Sequence, residues 1–453
     1  MGARKVQDSF GSIDIPDDVM YGAQTARALI HFNIGHDRMP PSFIRAYGVL
    51  KSACAEANFS LKYMDEEMKN AIVQAADEVA AGNWADQFPL SVWQTGSGTQ
   101  TNMNVNEVIA FRAEQILKRR VHPNDHVNMS QSTNDSFTTA MSIAATRAIK
   151  DRFIPIVNKL RKALAQKALE FRYIIKVGRT HLMDAVPLTL EQEFSGYVEQ
   201  LAQDVERVKQ TIPRLMELAI GGTAVGTGLN TPHGFVNEVI HSLNAKSGIT
   251  FTSALNKFAV LAAHDALVFA HAAVKTTAVS LMKIASDLAW MVSGPRAGLA
   301  ELSFPANEPG SSIMPGKVNP TQCEAMLMIC MQVMGVDTAI SLAGAHGHFE
   351  LNTCKPMLIY NFLHSVELLS HVCQSFTKYF VLGLQANKEK ISGYLNNSLM
   401  LATVLNRKIG YDRATEIVKK AHIEGTTLKE AASALGFLTE AEFDEIVDPK
   451  KMV

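Results

Sequence analysis

Four polar stretches interrupt a chain that otherwise reads as apolar helix, and each carries side chains able to hold an anion or move a proton. The first, "TGSGTQTNMNVNE" from Thr95 to Glu107, crowds hydroxyl and amide residues around a glycine turn that opens a helix. Glycine lets backbone N–H groups approach a ligand, and a helix N-terminus favours an anion. No Gly-Lys-Ser/Thr follows, which weakens a phosphate-loop reading, and a plain turn with an N-cap explains the stretch equally well on its own. The second, "RRVHPNDHVNMSQSTND" from Arg119 to Asp135, packs two arginines, two histidines, three asparagines and two aspartates into 17 residues. Pro123 separates His122 from His126, so a helical HxxxH metal face does not form readily and no metal is expected. The donors suit a carboxylate; a polar loop running into a capped helix is the bland alternative.

The third stretch, "GRTHLMDAVPLTLEQE" from Gly178 to Glu193, sets His181 in polar company ahead of a long helix. A lone histidine is more often structural than catalytic. The fourth, "GSSIMPGKVNP" from Gly310 to Pro320, puts two serines and one lysine on glycine and proline hinges between helical runs. Such a loop can close over a ligand, although a helix connector is the commoner reading of any single loop.

The elements that must position these residues are long helices. Lys257 to Ser293 contains neither Gly nor Pro, which predicts one rod of roughly 55 Å, apolar over most of its circumference. Similar runs cover about 133–171, 188–220 with a bend at Pro213, 320–342 and 356–386. Five long helices predict an all-α fold with an elongated central bundle, and rods apolar on several faces predict burial against other subunits. The expected division is an N-terminal mainly helical domain over 1–131, a long-helix bundle domain over 132–355 and a small helical domain over 356–453. In the last, Thr427 with Glu430 and Thr439 with Glu442 fit the S/T-x-x-E capping box. Its "GTTLKEAASALGFLTEAEFDEIV" has a helix-turn-helix look, but Glu440, Glu442, Asp444 and Glu445 would repel phosphate.

Composition narrows the class. The 453 residues are 47% hydrophobic and 19% charged with a net charge of -1, which describes a globular protein with no footprint for nucleic acid or an anionic membrane. Five scattered cysteines without a CxxC pair read as reduced thiols. The first residues, "MGARKVQDSFGSIDIP", lack the apolar region of a signal peptide, and the greasiest segment, Ala325 to Val336, is apolar for only 12 residues with a glutamine inside. A soluble, cytoplasmic protein is expected, or a mitochondrial-matrix one if a transit peptide has been removed.

Taken together and in this order, the four stretches resemble the fumarase/aspartase superfamily, of which "GSSIMPGKVNP" is the hallmark. The likeness runs from "DSFGSIDIP" at residue 8 to "EFDEIVDPKKMV" at the end. Within the superfamily, "WQTGSGTQTNMNVNE", "VHPNDHVN", "GGTAVGTGLN", "PGKVNPTQCEA" and "FELN" look like class II fumarase, the cofactor-free hydratase that interconverts fumarate and L-malate. Aspartate ammonia-lyases, the closest rivals, typically carry Gln at the position of His181 and "PAKVNP" in place of "PGKVNP".

The resemblance implies roles. Ser311 abstracts the proton beside a carboxylate, and Lys317 and Asn319, with Ser312 and the Val318 N–H, hold the carboxylate whose charge grows in the transition state. His181 handles the hydroxyl through water, with Glu324 orienting its ring. Ser97, Gly98, Thr99, Ser132, Thr133, Asn134 and Thr180 contact the dicarboxylate. Arg119, His122, Pro123, Asn124 and Asp125 form a second, shallow dicarboxylate site. No cofactor is implied, and the family arrangement is a homotetramer with active sites shared between subunits. Some positions depart from the pattern: Ser286 and Ala289 replace a usual Asn and Arg, Met183 a Gln, Met129 a Lys and Glu191 a Gly. Three readings follow, a fumarate hydratase first, then a lyase releasing an amine, then a non-catalytic homologue of the kind that became lens proteins. Intact Ser311, Lys317, Asn319 and His181 disfavour the last.

Overall fold

Residues 2–453 are described by the structure, a computed structural model. Its described residues form seventeen α-helices and four two-stranded sheet fragments, the all-α fold expected. The hairpin β1 (Ala3–Asp8) and β2 (Gly11–Pro16) leads to α1 (Ala23–His31), α2 (Pro41–Ser60), α3 (Glu66–Ala81), α4 (Thr99–Leu117) and α5 (Thr133–Arg147). After α6 (Ile154–Glu170), the antiparallel pair β3 (Ile175–Thr180) and β4 (Met183–Thr189) feeds α7 (Leu190–Leu215). Next come β5 (Glu217–Leu218), α8 (Phe235–Ser247), β6 (Thr252–Ser253), α9 (Lys257–Ala262) and α10 (Asp265–Met291). β7 (Leu302–Ser303), α11 (Thr321–Ala345), α12 (Lys355–Tyr379) and β8 (Gln385–Ala386) follow. The chain closes with α13 (Lys388–Asn397), α14 (Asn406–Ile409), α15 (Tyr411–Glu424), α16 (Leu428–Ala434) and α17 (Glu440–Ile446).

Two expectations about the helices need correcting. The rod from Lys257 to Ser293 is broken, because Ala263 adopts extended dihedrals of -138° and 157° and separates the six-residue α9 from α10. No glycine or proline marks the break; tertiary fit imposes it, with Leu261 and His264 both buried and the Leu261 carbonyl accepting the Asn352 N–H at 3.4 Å. The apolar run from Ala325 to Val336 lies inside α11, and both α10 and α11 are long and apolar enough by composition to cross a membrane. A core helix of a soluble protein meets the same test. α11 keeps Met328, Met331 and Leu342 exposed on this chain.

The chain divides into two compact units. The first comprises 1–155, 204–278 and 331–370. At its centre α2 buries Phe43, Tyr47, Leu50 and Cys54 completely, with the Phe43 ring 4.7 Å from Phe137 of α5. A Cβ on Gly48 would lie 2.7 Å from the Ala80 nitrogen, so α2 and α3 pack backbone to backbone. α1 is preceded by Gly22, which has no side chain to cap it. Glu107 of α4 does so instead, accepting from the Gly22, Gln24 and Thr25 N–H groups at 2.9, 2.9 and 3.2 Å and from the Thr25 hydroxyl at 2.6 Å.

The second unit comprises 156–203, 279–330 and 371–453. Leu395, Leu405, Ile417 and Phe443 form a core into which Val177 of β3 packs. Both expected capping boxes are present. Thr427 and Thr439 accept from the Glu430 and Glu442 N–H groups at 3.2 and 3.3 Å, and the two carboxylates each accept the threonine N–H at 2.8 Å.

Candidate active site

In the first unit, α4 starts at Thr99 directly after Gly98, whose φ of 82° lies in the left-handed region that glycine tolerates. The hydroxyls of Ser97 and Thr99 are 2.9 Å apart, so these three expected contacts form one continuous surface at a helix start. Ser132 caps α5: its Oγ accepts the Asn134 N–H at 3.2 Å, while Asp135 Oδ1 accepts the Ser132 N–H at 2.9 Å. Thr133 Oγ1 accepts from Asn102 at 2.9 Å, and the Asn134 amide donates to the Ala224 carbonyl at 2.7 Å. Every side chain of the Ser132–Asn134 segment is therefore held in place.

Beneath this surface lies a buried charged network that the sequence reading missed. Lys51 of α2, fully buried, donates to Asn128 Oδ1 and Gln131 Oε1, both at 2.9 Å. Lys355, also fully buried, donates from Nζ to the Asn134 carbonyl at 3.1 Å. Burial pulls both ammonium groups down to about 7. It pushes the Asp135 carboxyl up, against the pull of its hydrogen bonds from the Ser132, Thr223 and Gly221 N–H groups. A lysine inside "VLKSACA" was the one available signal.

The expected second dicarboxylate residues occupy the turn after α4. His122 Nδ1 accepts the Asn124 and Asp125 N–H groups at 3.2 and 3.1 Å, which makes this nitrogen the unprotonated one. The same nitrogen lies 3.3 Å from the Asp125 carboxylate. Arg119 is paired with Asp65 at 2.7 Å. An open cleft of about 360 Å³ runs from Asn124 and Asp125 past Ser130 to Ser132, walled on the other side by Thr223, Ala224 and Asn230. Among the described residues, no group of three or more His, Cys, Asp or Glu is placed to hold a metal ion.

In the second unit, Thr180 and His181 stand at the tip of the β3–β4 hairpin, which the sequence reading did not foresee. His181 and Leu182 both take positive φ, 57° and 61°. Two adjacent non-glycine residues in the left-handed region are a local strain of the kind that concentrates at functional sites. Below the tip, Arg179 Nη1 lies 2.8 Å from Glu301 Oε1, and Lys176 Nζ lies 2.9 Å from Oε2, close enough for an ion pair but without hydrogen-bond alignment. Burial raises Glu193, the other carboxylate on Lys176.

The Gly310–Pro320 loop is closed at its base, where the Gly310 N–H donates to the Lys317 carbonyl and Asn319 Nδ2 donates to the Gly310 carbonyl, both at 2.8 Å. At its start, Ser311 Oγ accepts the Ile313 and Met314 N–H groups at 3.2 and 3.0 Å. Ser312, Lys317 and Val318 are exposed, Gly316 turns at a φ of 76°, and Glu324 follows on the exposed side of α11. Among the described residues neither the His181 ring nor the Glu324 carboxylate has a hydrogen-bond partner. The single chain does not join the two.

Residues 11–335 match the family described as Lyase, and residues 401–453 match Fumarase C C-terminus. A Rhizopus oryzae protein named mitochondrial fumarate hydratase is 57% identical over 99% of this chain and 92% of its own. One from Thermosynechococcus vestitus named fumarate hydratase class II is 56% identical over 97% of this chain and 96% of its own. The chain belongs to the class II fumarase family. Class II fumarase from Schistosoma mansoni, seen in a crystal structure, shares 45% identity and superimposes with a TM-score of 0.97 over 100% of this chain and 99% of that one. The class II fumarase likeness thus extends from sequence to fold.

Proposed function

We propose that this chain catalyses the reversible hydration of fumarate to L-malate, with Ser311 as the base. The observation that carries the assignment of the base is the pair of backbone N–H groups aimed at Ser311 Oγ. A serine is a poor base unless its alkoxide is stabilised, and two fixed donors supply that stabilisation. In the direction from malate, Ser311 takes the proton from the carbon beside one carboxylate. The electron pair left behind delocalises into that carboxylate as a dianionic aci-carboxylate, held by Lys317 and Asn319 with Ser312 and the Val318 N–H. The dianion then collapses to the double bond as the hydroxyl leaves, taking a proton from His181 to depart as water, with Glu324 orienting the ring. Ser97, Gly98, Thr99, Ser132, Thr133, Asn134 and Thr180 hold the rest of the dicarboxylate. Arg119, His122, Pro123, Asn124 and Asp125 would line a second binding site at the cleft described above.

The working form is a homotetramer whose sites are completed by other copies. Two features support this: the bare apolar face of α11, and the unpartnered His181 and Glu324. The compartment is a reducing one, cytoplasm or mitochondrial matrix, which suits five free cysteines. Gly316 stands where ammonia-lyases usually carry alanine, and at its φ of 76° an alanine would be strained.

The purified protein, given L-malate and separately L-aspartate, should produce the ultraviolet absorbance of fumarate from malate alone. Fumarate from aspartate would assign an ammonia-lyase, and silence from both in a folded tetramer would assign a non-catalytic homologue. Light scattering should give four times the chain mass; a monomer would sink the shared-site arrangement.

A further inference from the structure

Lys355 touches both of the first unit's substrate segments. Its main-chain N–H donates to the Gly96 carbonyl at 3.0 Å, and its Nζ donates to the Asn134 carbonyl at 3.1 Å. The fit is close: a Cβ on Gly96 would fall 1.4 Å from the Thr353 carbonyl oxygen, two residues before Lys355. The intervening turn is itself fixed. Asn352 Oδ1 accepts the Cys354 N–H at 2.8 Å, and its Nδ2 donates to the Ala343 carbonyl at 2.8 Å. Lys355 therefore stands on a rigid base and reaches in two directions.

We propose that Lys355 is a positioning residue: it ties Thr95–Thr99 and Ser132–Asn134 into one anion cradle, and its ammonium charge sets how tightly that cradle holds a dicarboxylate. This rests on the hydratase reading of the same residues. A buried ammonium is costly, and an apolar side chain of equal length would pack in the same space without that cost. Two titratable groups face it. Asp135 of α5 attracts it, but that carboxylate is already occupied by three backbone N–H groups. His264, ahead of α10, is held neutral down to about 3 by burial and, secondarily, by the Lys355 charge. Among the described residues the Asn134 carbonyl is the one hydrogen-bond acceptor of Nζ, although an ammonium has three donors. A dianion seated over Ser132–Asn134 supplies the missing counter-charge. Burial pulls Lys355 down to about 7, so a seated dianion draws a proton onto it.

Lys355→Met should fold and melt at or above the wild-type temperature. Its KM for L-malate should rise about tenfold or more with kcat within about threefold, because the cradle binds substrate and transition state alike. Calorimetry of succinate binding at pH 8, in buffers of different ionisation enthalpy, should show proton uptake by the wild type and less by the variant. Unchanged KM and unchanged uptake in a folded variant would overturn the proposal. If the variant does not fold, the wild type decides, and succinate binding without proton uptake overturns it. A wild type that makes no fumarate from malate yet takes up protons with succinate would sink the hydratase reading and leave the cradle standing.

Discussion

Arg179 grips the fully buried carboxylate of Glu301 at 2.8 Å, one residue before Thr180 and two before His181. The hairpin tip that presents the histidine is thus anchored by a charge pair at its base, with Lys176 as the second cation. Removing one member of a buried pair leaves uncompensated charge, which costs about 3–5 kcal/mol. Glu301→Gln keeps the shape and removes the charge. It should lower the melting temperature clearly and reduce turnover in the fraction that folds; a wild-type melting curve would mean the pair is not an anchor.

Ser311→Ala should reduce turnover by about 100-fold or more while leaving circular dichroism and melting temperature unchanged. The partly exposed loop serine contributes little burial, so a folding defect is not expected. Turnover near that of the wild type would remove Ser311 from the role of base.

His181→Asn should lower kcat and erase one limb of its pH profile. A reduced kcat with both limbs intact would assign the histidine to substrate placement alone.

Gly96→Ala should be far more damaging than an alanine on a loop usually is. The added carbon would meet the Thr353 carbonyl oxygen, a backbone atom that cannot swing aside as a side-chain tip can. Expected outcomes are a lower melting temperature and weaker malate binding, read by thermal denaturation and KM. Gly393, whose added Cβ would meet no atom within 4 Å, is the control position and should tolerate alanine.

Lys51 predicts a pH dependence of stability. Burial lowers it to about 7 in the folded chain, against an ordinary 10.5 when unfolded. Between those values the unfolded chain binds a proton that the folded chain does not, so the cost of burying the charge is full below 7 and is relieved as pH rises from 7 to 10.5. Lys51→Met removes that cost. The change in melting temperature between pH 6.5 and pH 9.5 should then be less favourable to high pH in the variant than in the wild type, and parallel curves would refute the assignment.

Features written within a few residues of each other were legible in the sequence. The capping boxes at Thr427 and Thr439 depend on partners three residues away, and each formed as expected. The break at Ala263 was not legible, because its cause is the fit of Leu261, His264 and Asn352 rather than a breaker residue. Nor was the β3–β4 turn, which sets positive φ on His181 and Leu182 where a reader looks for Asn or Gly. Lys51 and Lys355 escaped notice because their partners lie 77 to 221 residues away. The polar segments could be picked out by residue type; the charged floor beneath two of them is a product of folding.

Two amines brought near neutrality and sealed from solvent have a chemical consequence. At neutral pH a large share of each buried amine is unprotonated and nucleophilic, but only while it stays buried, where an acylating reagent would have to reach it. In the closed chain it cannot. An opening that let reagent in would also let water in and return both amines toward an ordinary 10.5, so their labelling would count the openings of this part of the molecule.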